Sequence, residues 1–508
     1  MRELGHDPYA NERFESTYTV LQLLDRFESL QGRTFSIPGR LVSYRLMGKA
    51  GFAHLSDGDA KIQIYVKKDD VGDTLWEVFQ LLDVGDHVGV RGELFLTKTG
   101  EKTLHVREMQ VLSKCFQNLP IGKEKDGQTW YGLSDPELRY RHRHLDLICN
   151  PAARRLLVNR CRLVSAVRRF LDRKDYLEVE TPMLQLEAGG ASARPFLTHY
   201  NAYEMDVKLR ISLELYLKRL ICGDLPRVYE IGRVFRNEGV SSRHNPEFTL
   251  LEFYQAYANM EDVMTLVEEM FLSVTQEVFG SPVVHAGGVK MDFSKPWRRV
   301  DMLTEIERLS GVTAQDLDTL ESAQAALARL GLTVAGETNL GGIIEKLLEK
   351  FVEPTLLEPT FVCNFPIETS PLAKKKPGNP RLTRRFEGYI RGREICNAFS
   401  ELNDPIDQRE RFEAQLRERA KGDEEAHPMD EDFIYAVESG MPPAGGCGIG
   451  MDRLAMLLTD AEHLREILFF PTMRPVSSEQ IEPAEYLRNP SGAPNPGDPL
   501  PATTPAEE

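Results

Sequence analysis

The chain has 508 residues, 41% hydrophobic and 28% charged, enough for two or three domains with sizeable cores and too apolar for disorder throughout. A net charge of −16 excludes a uniform basic coat, so any nucleic-acid contact has to come from local basic patches. The seven cysteines are scattered without a C-x-x-C pair, which argues against a disulfide framework and a structural zinc site and fits a reducing cytoplasm. The N-terminus has no apolar stretch of the kind a secretory signal needs. No run approaches the roughly 18 apolar residues of a membrane span.

Residues 1–32 are polar, with a helical pattern around Leu21–Leu30. From 33 to 118 the chain reads as β structure. In Lys61-Ile62-Gln63-Ile64-Tyr65-Val66 apolar and polar residues alternate strictly, and His87–Phe95 reads as a further strand. One helical pattern, Thr74–Leu82, lies between them. Four or five strands with one helix predict a small barrel, an OB-fold. That alternation turns Gln63 outward against Ile62 and Ile64, and Phe52 outward against Ala53 and Leu55. An outward aromatic and amide suit stacking and edge readout of an unpaired base; the plainer reading of Phe52 is a residue at the rim of the core.

A linker is expected over 119–150, including Gly122–Gly127. A long helix follows, Ala152–Arg173, with one apolar face of Leu157, Cys161, Val164, Val167 and Leu171. Eight Arg or Lys stand against two Asp between Ala152 and Asp175, either a solvated face or a site near phosphate. Beyond 177, strands and helices mix without a βαβ rhythm. This predicts an α+β domain over 151–476 around a mainly antiparallel sheet, with a helical insertion at about 281–360. The tail, 477–508, is rich in Pro, Glu, Ser and Gly and is expected to be disordered.

Three segments carry candidate chemistry. In the first, Arg227–Gly239 is followed by Arg243–Phe248 and Thr249–Tyr254, two strand-like runs flanking a polar loop of cations, a carboxylate and an imidazole, with Arg236, Glu238, His244 and Asn245 among them. Alternation puts Phe248, Glu252 and Tyr254 on one strand face. A flat ring beside arginines suits a purine and its phosphates; an ordinary hairpin with surface ion pairs would look the same. In the second, Glu387 and Glu394 stand on a predicted strand pair. Two hard carboxylates suit Mg²⁺, although paired glutamates are often merely solvated. In the third, Gly446-Cys447-Gly448-Ile449-Gly450 precedes a helix carrying Arg453. Its G-x-G-x-G spacing is not a dinucleotide fingerprint, and it reads as a tight strand–helix turn or a close backbone approach to a phosphate.

Together these segments resemble the motifs of class II aminoacyl-tRNA synthetases. Glu180-Thr181-Pro182-Met183 looks like motif 1, Arg236-x-Glu238 like motif 2 and Gly446–Arg453 like motif 3. Within that class the chain is similar to the lysyl-tRNA synthetases from about residue 30 to 475. Gly189–Phe196, Glu214–Arg219 and Asn397–Asp404 carry the narrower match.

The resemblance implies an enzyme that activates L-lysine with ATP and transfers it to tRNA(Lys), and its motif 1, with the apolar face of the Ala152–Arg173 helix, suggests a C2 homodimer. Arg236 would hold the lysine carboxylate and the α-phosphate. Phe248 and Arg453 would sandwich adenine, with Glu238, His244 and Asn245 lining the adenine and phosphate site. Glu387 and Glu394 would bind Mg²⁺. Gly190 and Glu252 would hold the α-amino group. Glu214, Glu401 and Tyr254 would receive the ε-ammonium, with Asn397 and Phe399 along the stem. Phe52, Gln63 and Glu101 match anticodon-contact positions. The plainer reading of Glu214 is a helix-surface residue paired to Lys218 at i,i+4. Leu213, Cys396 and Ala398 depart from the family pattern and are expected to add bulk near the amino-acid pocket.

Two other readings stay open. An aspartyl- or asparaginyl-tRNA synthetase shares this architecture but needs a cation facing the substrate side chain. A non-catalytic, synthetase-like RNA-binding protein would be expected to lack part of the ATP site, whereas Arg236, Glu238, Glu387, Glu394 and Arg453 are all present.

Overall fold

The computed structural model describes residues 1–121, 132–242, 244–333, 339–420 and 426–475, and the backbone alone of 123–125 and 128–130. They form two compact units, one of residues 1–155 with those from 473 onward, the other of 156–472. The expected disordered tail and the glycine-flanked linker lie outside the described residues, apart from the backbone of 123–125.

The first unit is built on a closed five-stranded barrel, with strands in the order Thr34–Met47, Ala50–Ser56, Lys61–Lys67, Lys102–Ser113 and His87–Leu96. Alternation does what the sequence predicts: Ile62, Ile64 and Val66 point into the core while Gln63 and Tyr65 stay half-exposed. The Asp73–Gln80 helix buries Trp76, Val78 and Phe79. The N-terminal helices Val20–Asp25 and Phe27–Leu30 add Val20, Leu23, Phe27 and Leu30 to the same core.

The stretch expected as a plain linker holds two helices, Pro136–Arg141 and Arg143–Cys149. The first begins where the Asp135 carboxylate accepts from the Leu138 amide and Pro136 takes the first turn.

The second unit is centred on an eight-stranded sheet. Its strands run in the order Arg298–Asp301, Thr360–Cys363, Arg385–Ile390, Arg393–Ser400, Ala444–Gly450, Glu247–Ala256, Arg227–Phe235 and Leu177–Glu178. Only the outermost pair at each edge is parallel, so the α+β expectation holds. One face packs on the Met260–Phe279 and Met451–Thr459 helices through Met264, Val267, Phe271 and Leu454. An Asn259–Asp262 capping box starts the first of these helices and Gly280, with φ 70°, stops it. On the other face the Glu214–Cys222 helix brings Leu217 and Ile221 together with Phe412 and Phe433.

Two expectations need correction. Leu157, Val167 and Leu171 of the Pro151–Arg173 helix are buried as expected, but the face packed into the unit's own core is Leu163, Ala166, Val167, Phe170 and Leu171. Cys161 is exposed and Val164 only half-buried. This face therefore gives no support for a dimer contact. The insertion also does not begin as helix. Val283–Ala286 and Val289–Asp292 form a hairpin because Gly287 and Gly288 supply the positive φ of its turn, 53° and 76°. Arg298–Asp301 then joins the main sheet, and helix begins at Met302 under an Asp301 cap.

Candidate active site

The glycines of the third segment lie along a strand rather than in a turn. Ala444–Gly450 is central in the sheet, with Cys447 and Ile449 in the core and Gly446, Gly448 and Gly450 on the opposite face. Tyr254 and Phe399 flank Gly446, and Glu252 and Asn397 flank Gly448, in register from the two neighbouring strands. The missing side chains leave a trough whose walls are those four residues. A Cβ on Gly446 would sit 2.3 Å from the Tyr254 ring and 2.5 Å from Glu401 Oε1, so only glycine lets both approach.

A cavity of about 490 Å³ opens over this trough. Every residue assigned to the amino acid, nucleotide or metal lines it except Glu401, which is fully buried behind it.

At the acidic end, Glu214 opens its helix and is 5% exposed. The Lys218 ammonium donates to Glu214 Oε1 at 2.5 Å and contacts the Glu401 carboxylate. Lys218 is itself fully buried, 5.9 Å from the Tyr254 ring centroid and 5.5 Å from that of Phe399. The Glu214–Lys218 pair thus exists, but inside the molecule rather than on a helix surface. The contact with Glu401 is one of charge rather than alignment, because neither Glu401 oxygen accepts a well-directed hydrogen bond among the described residues.

Glu252 accepts from Ser212 Oγ at 2.9 Å, the Leu213 amide at 3.0 Å and Tyr254 Oη at 2.9 Å. Burial, then repulsion from Glu214, pushes its carboxyl up to about 7. Gly190, with φ 86°, passes close to Ser212 and Glu214, where a Cβ would be 2.8 Å from Ser212 Oγ.

At the other end the Arg236 guanidinium lies 5.1 Å from the Phe248 ring centroid. Burial lowers its pKa, opposed by Glu238 and Glu394. Arg453 donates to Glu394 at 3.0 Å and reaches His244 Nε2 at 3.5 Å. In this structure, then, Arg236 rather than Arg453 covers Phe248. Asn245 is buried and donates to the Glu247 carbonyl at 2.8 Å.

Glu387 accepts from Arg385 and from Tyr389 Oη, each at 2.5 Å, and burial pushes it up to about 7. Glu387 and Glu394 stand on adjacent antiparallel strands and line the same cavity. Among the described residues no group of three or more His, Cys, Asp or Glu converges as a metal cage. A hard cation held by these two carboxylates would complete its shell with phosphate oxygens and water, which is how Mg²⁺ is usually bound.

On the barrel, Gln63 donates to Glu101 at 2.7 Å, and His54 Nε2 is 2.9 Å from the same carboxylate. Phe52 packs on Tyr65 with centroids 4.9 Å apart. The structure brings the three predicted residues to one outer face and adds His54 and Tyr65 from the same alternation.

The departures from the family pattern do not crowd the cavity. Cys396 and Ala398 point to the opposite face of the sheet, into the core, and Leu213 is buried against Leu217 and Phe433. Lys218, Arg385 and Ser212 were missed as site residues. The i,i+4 spacing of Glu214 and Lys218 was visible, and only their burial was not.

Residues 135–474 match the model of the tRNA synthetases class II (D, K and N), and residues 28–112 match that of the OB-fold nucleic acid binding domain. The chain belongs to the class II tRNA synthetases. Within them it belongs with the lysine–tRNA ligases. It is 50% identical over 475 residues to the lysine–tRNA ligase of Moorella thermoacetica, spanning 94% of this chain and 96% of that protein. The same figures hold for 94% of this chain and 96% of the Carboxydothermus hydrogenoformans lysine–tRNA ligase. The Clostridium acetobutylicum lysine–tRNA ligase is 48% identical over 477 residues, spanning 93% and 91%.

Proposed function

We infer that this chain joins L-lysine to ATP, releasing pyrophosphate, and passes the lysyl group from the adenylate to the 3′ end of tRNA(Lys). The observation that carries this reading is the polarity of one cavity. Buried carboxylates close one end, and an arginine–phenylalanine platform forms the other.

The lysine carboxylate is already a nucleophile at neutral pH, so no catalytic base is needed. Activation needs in-line approach to the α-phosphate and a cation for the developing charge, and Arg236 supplies that cation. Phe248 offers one face to adenine and Arg453 is assigned to the other, and Glu238, His244 and Asn245 border the nucleotide. Gly190 and Glu252 take the α-amino group. Glu214, Glu401 and Tyr254 form the acidic end for the ε-ammonium, with Asn397 and Phe399 beside the stem. Glu387 and Glu394 would hold Mg²⁺, which neutralises phosphate charge when bound.

Phe52, Gln63 and Glu101 are proposed to meet the anticodon, supported by their shared outer face. Among the described residues no helix is long and apolar enough to cross a membrane, and we place the enzyme in the cytoplasm. The homodimer is proposed on exposed apolar residues near motif 1: Met183, Leu184, Leu186, Leu197 and Tyr203. Light scattering that finds only a 57.6 kDa species at micromolar concentration would refute it.

An aspartate pocket needs a free cation, but Lys218 is held by two carboxylates. ATP–pyrophosphate exchange across a panel of amino acids tests the reading. Exchange is expected with lysine, and exchange with aspartate alone would overturn it.

A further inference from the structure

Lys218 occupies a place the assigned roles do not explain. Its ammonium is fully buried among Glu214, Glu401, Tyr254 and Phe399, four of the residues assigned to a lysine side chain. With Glu252, three buried carboxylates stand at this end of the cavity, Glu214 and Glu252 in its wall and Glu401 behind it, and the one resident ammonium, Lys218, lies behind the wall as well, a surplus of two negative charges. Free lysine brings two ammonium groups, while its carboxylate faces Arg236. The charges then balance, and they balance only with Lys218 counted.

We propose that Lys218 is a specificity-setting positioning residue: a fixed internal cation that neutralises one of three buried carboxylates and leaves the cavity the two negative charges that a diamino acid matches. An amino acid with an uncharged side chain would leave a desolvated carboxylate unpaired. This rests on the reading of the cavity as the lysine site.

The groups facing Lys218 come from four elements. Glu214 and Cys222 lie on its own helix, Tyr254 on the Glu247–Ala256 strand with Glu252 bonded to its hydroxyl, Glu401 just past the Arg393–Ser400 strand, and His427 before the Glu431–Glu438 helix. Arg385 adds a further positive field at Glu214. Burial works to lower Lys218, but Glu214 and Glu401 outweigh it and raise it, so it stays a cation. Burial, followed by Lys218, holds His427 down at about 4, so it stays neutral. Burial pushes Glu401 up to about 8 and, with Glu214 repulsion, Glu252 up to about 7.

The substrate ammonium needs these carboxylates ionised, and the ionised fraction grows as pH rises through their raised pKa values. Lysine KM therefore falls with rising pH and levels off near about 8. Lys218 holds Glu401 and Glu214 down against burial, so removing its charge raises both further and moves the break upward.

Lys218→Met and Lys218→Gln, compared with wild type in lysine-dependent pyrophosphate exchange between about pH 6 and 9, test this. Each is expected to raise lysine KM about tenfold near neutrality and to move its break up by about one pH unit, with ATP KM within about twofold. A rise in lysine KM that is equal at every pH, or no rise, overturns the proposal. Should circular dichroism show both neutral variants unfolded, Lys218→Arg keeps the charge and is expected to keep the wild-type break; a displaced break overturns the proposal. Failure of wild type itself to exchange with lysine would instead refute the underlying reading of the site.

Discussion

A carboxylate taken out of water is costly to leave without a partner, and Glu214 is 5% exposed with its charge turned toward the cavity. Glu214→Gln keeps the shape and removes the charge. Lysine KM is expected to rise on the order of 100-fold, the roughly 3 kcal/mol that losing one member of a buried charge pair costs. ATP KM is expected to stay within about twofold, because the Glu214 carboxylate is engaged by Lys218 and not by Arg236. Exchange kinetics check both, and equal loss of lysine and ATP binding would make Glu214 a structural residue. The sequence already offered Glu214, Glu252 and Tyr254 by motif and alternation. It did not offer Lys218 as part of the site, because an i,i+4 Glu–Lys spacing is the same on a solvated helix face and in a sealed core.

At the scale of elements, the Ala444–Gly450 strand shapes the trough by what it lacks. Gly446→Ala would press a methyl group into the Tyr254 ring and Glu401. Overpacking of this kind costs about 1–3 kcal/mol. A lower melting temperature and at least about tenfold weaker lysine KM are expected, again with ATP KM little changed. Normal lysine KM in this variant would mean the trough does not shape the site. The G-x-G-x-G segment was visible as a signal, yet its reading as a strand–helix turn was only half right. A helix with Arg453 near its entry does follow, from Met451, but the glycines alternate on the strand before it. Spacing by two is a strand period, and three glycines at that period mark one bare face. The same limit applied at 281–301, where Gly287-Gly288 signalled a hairpin inside a stretch expected to be helical. The OB barrel was legible where alternation is strict, at Lys61–Val66 and around Phe52, and less so in Thr34–Met47, where a register shift breaks the pattern.

At the scale of the molecule, the residues proposed for activation and those proposed for the anticodon fall in different units. The residues assigned to lysine and ATP all lie within 156–472, while Phe52, Gln63 and Glu101 lie on the barrel. Phe52→Ala is therefore expected to leave lysine-dependent exchange within about twofold while weakening aminoacylation of tRNA(Lys) about tenfold, the loss of one stacked base contact. Equal loss in both assays would point to a folding defect in the barrel, whose Phe52–Tyr65 contact it breaks.

The claim that a cavity closed by buried carboxylates beside a nucleotide platform selects a long cationic amino acid is tested most directly by a crystal structure with lysine and a non-hydrolysable ATP analogue. The account predicts the ε-amine within hydrogen-bond distance of Glu214, the α-amine at Glu252 and adenine on Phe248. An ε-amine directed away from Glu214 and Glu401, with lysine bound in the opposite sense, would contradict it.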